Sequence, residues 1–385
     1  MKILSVVGAR PNFMKIAPFI RAVDKYNKSD IHKKNVLKHL LVHTGQHYDD
    51  RMSKEFFEQL GIPKADINLG IGSGTHAEQV GLTMIEFEKV VKKEKPDWIV
   101  IVGDVNAILA CSVTAKKEHI KCCHIEAGLR SGDTKMPEEI NRIVADRLSD
   151  LLLTPDIIAS ENLRKEGTPD SNIVLVGNIM IDTLDLNIEK AAKLDIKEVL
   201  KNNSINESWK TIDNKRLNEL VILTLHRPSN VDTRDILQSI TQFIMDEVSR
   251  QYPVVWSLHP RTRKMLELYG LWDHIMNNKQ LLLLQSIGYL EMLKLNMNAK
   301  MMLTDSGGLQ EECTVLGTPC LTLRWNTERP MTLKENGGVS ILVGNEIARI
   351  RSEYNKTKIV KRLPFRPYLW DGHTAERCLE EILKR

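Results

Sequence analysis

Short apolar runs rich in β-branched residues alternate with amphipathic segments of helix length from one end of the chain to the other. Such alternation builds βα units, and βα units build parallel sheets buried on both faces. The class is therefore α/β. In the first half, strands are expected at 2–7, 37–43, 98–102, 120–125, 151–153 and 173–176. Residues 187–218 then turn rich in Lys and Asn and read as a surface insertion just past a domain boundary. A second series follows at 220–225, 253–258, 280–284, 300–304, 320–323 and 339–343. Each series suffices for one doubly wound sheet, so two Rossmann-like domains facing a central cleft are expected. Residues 1–177 with 365–385 form the first and 178–364 the second. The last stretch, 375–384, reads as a helix after the breakers Pro364 and Pro367, with Thr374 as its N-cap, packed back on the first half.

Charge limits the partners. The 54 Lys and Arg against 50 Asp and Glu leave a net charge of +4 spread along the chain. A nucleic-acid binder would concentrate a basic footprint, so no nucleic acid is expected, whereas a small anion fits. No stretch reaches the ~18 apolar residues of a membrane helix. The opening run MKILSVV breaks at Arg10-Pro11, too early for a secretory signal, so a cytoplasmic protein with no membrane contact is expected. Six cysteines lie mostly inside apolar runs without C-x-x-C or zinc-finger spacing, and read as reduced core residues. Neither a metal nor a cofactor is called for.

In open α/β sheets, ligands collect at the carboxyl ends of strands, so the residues just past each apolar run carry the chemistry. The first strand ends in Gly8-Ala9-Arg10-Pro11, followed by Asn12 and Lys15. Pro11 suits a first helical turn, and Arg10 beside a positive helix end offers a grip for a diphosphate; a surface arginine and a solvated lysine are the alternative. Strand 98–102 runs into Gly103-Asp104, strand 120–125 into Glu126, and Pro137-Glu138-Glu139 opens a helix. Asp104, Glu126 and one of Glu138 and Glu139, brought together, would supply a general acid and base for proton transfer at carbon. Taken singly, Asp104 and Glu138 also fit as helix-terminal charges, and Glu126 as an ion-pair partner of Arg130.

The second half presents donors. Its strands end in His226-Arg227-Pro228, His259-Pro260-Arg261 and Asp305-Ser306-Gly307-Gly308. Ser306-Gly307-Gly308 at a strand-to-helix junction is an anion cradle, with Glu312 one and a half turns on and in reach of a ribose diol. His259 reads as structural. Gly70-Ile71-Gly72-Ser73-Gly74 lacks phosphate-loop spacing and reads as a loop, Ser306 lacks a nucleophile elbow, and His43, His47 and His76 lack metal-ligand spacing.

The motifs GARPNFMK (8–15), TGQHYD (44–49), GD (103–104), HIEAGLRSGD (124–133), PEEINR (137–142), GN (177–178), HRP (226–228), DSGGLQEE (305–312) and TERP (327–330) occur in this order over nearly the whole chain. As an ordered set they resemble the non-hydrolysing UDP-N-acetylglucosamine 2-epimerases. The resemblance implies a fold like that of the GT-B glycosyltransferases, with UDP held mostly by the second domain. It implies Arg10 as the diphosphate contact and Ser306, Gly307 and Gly308 as the phosphate cradle. Glu312 would be the ribose ligand, and His226 a phosphate contact that helps UDP depart. Gln285 and Arg329 join the UDP-sugar contacts, and Lys15, Asp104, Glu126, Glu138 and His226 match catalytic positions. Gln46 and His47 match a region that contributes an allosteric substrate site in some bacterial members. A homodimer is implied as well.

By the same resemblance, acid–base groups remove the C2 proton while UDP leaves C1 in an anti elimination. UDP re-adds to the resulting 2-acetamidoglucal after the proton returns from the other face. A hydrolysing relative that releases N-acetylmannosamine and UDP, an epimerase for a diacetamido sugar nucleotide, a GT-B glycosyltransferase and a non-catalytic binder are the competing readings. Several positions depart from the bacterial pattern: Ser229-Asn230 after HRP, His259-Pro260-Arg261-Thr262, Met331 after TERP, and PYLWDGHTAE near the end.

Overall fold

The computed structural model describes residues 1–29, 36–45, 61 and 64–385. Among them the chain forms two compact units, Met1–Leu186 with Pro367–Arg385 and Asn187–Arg366. The first holds a seven-stranded sheet of β1 (Lys2–Val7), β2 (Lys38–His43), β3 (Ile67–Asn68), β4 (Trp98–Val102), β5 (Lys121–Ile125), β6 (Leu151–Thr154) and β7 (Ile173–Leu175). The second holds six: β8 (Leu220–Thr224), β9 (Val254–Ser257), β10 (Leu281–Leu284), β11 (Ala299–Thr304), β12 (Cys320–Thr322) and β13 (Ser340–Leu342). The orders are β3-β2-β1-β4-β5-β6-β7 and β10-β9-β8-β11-β12-β13, with parallel pairing throughout. Every expected strand is present within a residue or two at each end. The two-residue β3, too short to carry an apolar rhythm, is the addition.

In each sheet the order reverses once, between β1 and β4 and between β8 and β11. Connections leave in opposite directions there, which opens a crevice at the carboxyl ends of those strands. Central strands such as Trp98–Val102 are buried along their whole length, as two-sided packing requires. Leu4, Val6, Ile99, Ile101, Ala107 and Cys111 form one core cluster of the first unit. In the second unit Leu223, Trp256, Leu283, Leu303 and Tyr354 lie on one side of the sheet and Ile222, Val255, Leu282 and Met302 on the other. All six cysteines are buried and unpaired.

Two expectations need correction. The Lys- and Asn-rich stretch is more than a surface insertion: it forms the helix Ile196–Asn203, which buries Val199 and Leu200 against Leu220, Ile222 and Val255. Asn206 then binds the edge strand β10, donating to the Leu281 carbonyl at 2.9 Å and accepting from the Leu283 amide at 3.1 Å. Lysine and asparagine dominate the composition, but the three apolar residues, Ile196, Val199 and Leu200, fall on one helical face. Thr374 is the first residue of the terminal helix Thr374–Leu383 and not its cap. The buried Asp182 takes that part from a distance of 192 residues, accepting from the Thr374 and Ala375 amides at 3.1 and 2.7 Å. Asp182→Ala orphans two buried amides, so a loss of roughly 1–3 kcal/mol is expected. Faster hydrogen exchange across 374–383 in the variant is the measurement that checks it.

Candidate active site

In the first unit the switch point gathers the predicted residues. Pro11 occupies the first turn of the helix Arg10–Lys28. Asn12, in the same turn, accepts from the Gly8 and Ala9 amides at 3.2 and 3.1 Å and donates to the Val102 carbonyl at 2.7 Å, tying β1 to β4. One helical turn on, Lys15 forms an ion pair with Glu126, and both side chains are almost wholly buried. The Glu126 backbone is left-handed at φ 74°, and the amides of Glu126 and Ala127 both donate to the Leu153 carbonyl. Gly103 has to be glycine. A Cβ there would stand 3.0 Å from Asn12 Nδ2, 3.1 Å from Lys15 Nζ and 3.7 Å from Glu126 Oε2. The turn that carries Asp104 is thus packed directly on the Lys15–Glu126 pair.

The helix Pro137–Leu148 fixes Asp104 from the other side. Asn141 donates to the Asp104 carbonyl at 2.9 Å, and Arg142 Nη1 meets Asp104 Oδ2 at 2.5 Å. Arg142 also binds Glu139 at 2.5 Å, and Glu139 accepts from the Ser131 and Gly132 amides at 2.9–3.1 Å. Burial pushes the Glu139 carboxyl up, but Arg142 and these amides outweigh it and hold it below its ordinary value. Glu139 is a structural anchor. Its neighbour Glu138 is half-buried and makes no hydrogen bond or ion pair among the described residues. Arg130, the alternative partner of Glu126, goes to Asp146 at 2.7 Å and Glu166 at 2.7 Å instead. Gln46 and His47 lie outside the described residues, as does the side chain of Arg10.

The second unit's switch point is built around one acid. Asp305, fully buried after β11, accepts from the His226 amide at 3.0 Å, the Arg227 amide at 2.9 Å and Asn230 Nδ2 at 3.0 Å. His226 Nδ1 stands 2.7 Å from Asp305 Oδ1. Against the upward push of burial, His226 and the two amides hold Asp305 below its ordinary value, and an ionised Asp305 accepts from Nδ1. His226 Nε2 is then the nitrogen left to face a ligand on a side chain 38% exposed. His259, 5.6 Å away ring to ring, accepts from the Arg261 amide and caps the helix Pro260–Leu268. Burial, and then the neighbouring His226, lower its pKa.

Ser306 precedes the helix Gly307–Leu316, and its hydroxyl makes no capping bond. The first amides of such a helix need an acceptor from outside. A Cβ on Gly308 would meet nothing within 4 Å, so that position faces open space; one on Gly307 would lie 2.7 Å from Glu328 Oε1. Behind Gly307 sits a buried charge cluster in which Arg324 binds Glu328 at 2.6 Å, and Arg329 lies 3.0 Å from Glu311 and 3.3 Å from Glu328. Arg329 is therefore held beneath the cradle by carboxylates. Gln285 is exposed at the end of β10, its side chain 3.4 Å from Asn203, two strands from His226.

Glu312 stands apart. It is 3% exposed, and one carboxylate oxygen, Oε2, is buried with no hydrogen-bond partner. Burial, with the charge of Glu311 adding to it, pushes its pKa up to about 8 against the pull of Tyr289 and Asn296. Tyr289 and Asn296 reach the carboxyl, and the oxygen left without a partner, Oε2, is one that a diol would satisfy. Arg142, Asn141, Asp305 and Glu328 were not read from the sequence as parts of the site. All four lie in or beside the quoted motifs, but their partners are 38, 37, 79 and 4 residues away, and only folding reveals such pairings. Among the described residues no group of three or more His, Cys, Asp or Glu is arranged to hold a metal ion, and no helix is long and apolar enough to cross a membrane.

Two parallel-sheet units with carboxylates at one switch point and anion donors at the other define a two-domain Rossmann-like protein of nucleotide-sugar chemistry. The profile of the UDP-N-acetylglucosamine 2-epimerase family matches residues 29–383, and the chain belongs to that family of isomerases. It is 42% identical over 362 residues to the UDP-N-acetylglucosamine 2-epimerase of Methanocaldococcus jannaschii, covering 94% of this chain and 91% of that one. It is 37% identical to the UDP-2,3-diacetamido-2,3-dideoxy-D-glucuronate 2-epimerase of Pseudomonas aeruginosa over the full length of both. The crystal structure of the M. jannaschii enzyme with UDP-GlcNAc and UDP superposes with a TM-score of 0.87 at 39% identity, covering all of both chains.

Ionisation of Glu312 is disfavoured in the folded protein and free in the unfolded chain. Its linkage term is therefore fully favourable to the fold below about pH 4.5 and lost as the pH rises towards 8. In Glu312→Gln this part of the pH dependence disappears. Thermal melts between pH 5 and pH 8 are expected to show a flatter decline in Tm than the wild-type protein.

Proposed function

We propose that this protein interconverts UDP-N-acetylglucosamine and UDP-N-acetylmannosamine by reversible elimination of UDP. The observation that carries this reading is the orphaned, buried Glu312 beside the open glycine cradle, on the unit opposite in chemical character to the acids. His226 Nε2, the Ser306-Gly307-Gly308 turn and Glu312 hold the diphosphate and the ribose, with Arg10 and Gln285 as further contacts. Arg329 acts through Glu328 on the shape of the cradle. In the forward step a carboxylate among Glu126, Asp104 and Glu138 takes the C2 proton. The C2–H electron pair becomes the C1–C2 double bond, and the C1–O bond breaks towards UDP. His226 and the helix amides stabilise the charge gathering on the leaving diphosphate. Return of a proton to the opposite face of C2, with re-addition of UDP oxygen to C1, gives the epimer. Lys15 pairs with Glu126 and orients its carboxylate beside the reacting carbon. The scheme calls for no redox step.

The 37% identity to the P. aeruginosa enzyme over both full lengths supports a second reading, in which the sugar is a 2,3-diacetamido uronate and the elimination chemistry is the same. A homodimer in the cytoplasm belongs to the proposal as well. Leu82 and Ile85 on the helix His76–Glu94 and Ile140 and Ile143 on Pro137–Leu148 are large, exposed and aliphatic. Both helices pack on Asn106–Lys117, which gives a second copy an apolar face to cover.

Proton NMR in deuterated water with each of the two UDP-sugars tests the assignment. The C2 epimer with deuterium at C2 is the expected product; free N-acetylmannosamine with UDP would assign the hydrolysing reaction, and turnover of the uronate alone the second reading. Glu126→Gln is expected to lose a factor on the order of 100 or more in kcat while its affinity for UDP, measured by calorimetry, stays within about threefold.

A further inference from the structure

Beneath the turns that carry Asp104 and Glu126 lies a buried pair that the elimination scheme does not use. His124, on β5, is fully buried. Its Nε2 stands 2.9 Å from the Gly103 carbonyl oxygen and its Nδ1 2.6 Å from Asp146 Oδ1. A carbonyl oxygen only accepts. Asp146 in turn accepts at its other oxygen from the Gly128 amide at 3.0 Å and from Arg130 at 2.7 Å. Burial pushes the Asp146 carboxyl up, yet His124 and Arg130 outweigh it and hold it below its ordinary value, so it is an ionised acceptor. The ring nitrogen facing the Gly103 carbonyl, Nε2, therefore donates, and Nδ1 is paired with Asp146.

What this pair touches gives it a task. Gly103 (φ 78°), Glu126 (φ 74°) and Gly128 (φ 82°) all have left-handed backbones. For Glu126, which carries a side chain, that conformation is strained and lasts only where its surroundings over-determine it. His124 and Asp146 grip the turns on both sides of it, through the Gly103 carbonyl and the Gly128 amide. Gly103 is also the residue whose missing Cβ lets Lys15 and Glu126 sit against the Asp104 turn.

We propose that His124 and Asp146 are positioning residues for proton transfer at C2, holding the Asp104 and Glu126 turns in register without touching the substrate. The proposal rests on the epimerase reading above. A plain core pair would stabilise the fold and leave the chemistry of the folded protein alone.

Two variants separate these cases. His124→Leu removes both ring contacts, whereas His124→Gln offers an amide nitrogen where Nε2 stood. In the folded His124→Leu protein kcat is expected to fall on the order of 100-fold, as misplacement of a catalytic group by about an ångström does. The glutamine variant is expected to recover to within about tenfold of wild type, with KM and UDP affinity within about threefold in both. Histidine-labelled wild-type protein should show one imidazole whose Nε2–H is protected from exchange, a signal absent from both variants. Wild-type kcat in folded His124→Leu would overturn the proposal. So would a wild-type spectrum without that protected Nε2–H, or loss of kcat in His124→Gln as deep as in His124→Leu. Should His124→Leu not fold, the glutamine variant and the wild-type spectrum decide. A wild-type protein that turns over neither UDP-sugar sinks the reaction itself, and the positioning role with it; turnover with unaffected variants sinks the pair alone.

Discussion

A lysine and a glutamate buried against each other at the end of a parallel sheet, Lys15 and Glu126, set the terms for the first unit. Taking either charge out of water alone costs several kcal/mol, and breaking a buried pair costs about 3–5 kcal/mol because the survivor stays uncompensated. The pair therefore dictates what surrounds it. Position 103 has to lack a side chain, Asn12 has to tie β1 to β4, and Glu126 has to take a left-handed backbone so that its carboxylate turns back towards Lys15. The same arrangement places a carboxylate at a switch point, where a ligand would meet it. Stability and chemistry here draw on one contact.

The second unit meets the buried-charge problem three ways, and the differences sort its acids. Asp305 is compensated by amides and by His226, and it shapes a turn. Glu328 is compensated by Arg324 and Arg329, which outweigh burial and take its carboxyl well below its ordinary value. Glu312, equally buried and on the neighbouring helix, has no cation and is driven up to about 8. Burial is the first cause in all three cases, so the presence or absence of a partner decides the sign. Two of these acids are finished structures. The third keeps one oxygen, Oε2, without a partner, and on that difference Glu312 is separated from Asp305 and Glu328.

Much of this was legible in the sequence because two simple rules sufficed. Apolar runs alternating with helical segments gave the strands, and reading the residues past each strand found Lys15, Asp104, Glu126, His226 and Ser306. Residues whose role depends on a distant partner were not legible. Nothing local in PEEINR says that Glu139 and Arg142 brace the site while Glu138 makes no bond among the described residues; that follows from which side of one helical turn faces Asp104. Arg329, which the resemblance implies as a UDP-sugar contact, also pairs with Glu311 and Glu328. Its burial between Glu311 and Glu328 depends on a chain path no spacing rule predicts. Thr374 resembled a cap for the same reason that Asp182 was overlooked: a cap supplied from 192 residues away leaves no sequence signature.

The positions that depart from the bacterial pattern fall under the same logic. Asn230 donates to Asp305 and to the Leu323 carbonyl at 3.0 and 2.9 Å, so it braces the turn that aims His226 from below. Arg261 pairs with Asp232 at an Nε–Oδ1 distance of 2.9 Å, Thr262 bonds the Leu225 carbonyl, and His259 caps its helix. Trp370, from the altered C-terminal motif, is buried and donates to the Pro155 carbonyl at 3.0 Å. Each of these contacts goes to backbone or to another side chain within one unit. Changing them alters how the turns are held, while Lys15, Glu126, His226 and Glu312 keep their places. A buried pairing constrains two positions at once, so such substitutions are tolerated only when the partner group remains satisfied. The Asn230–Asp305 contact meets that condition with one side chain bonded to both a carboxylate and a strand end.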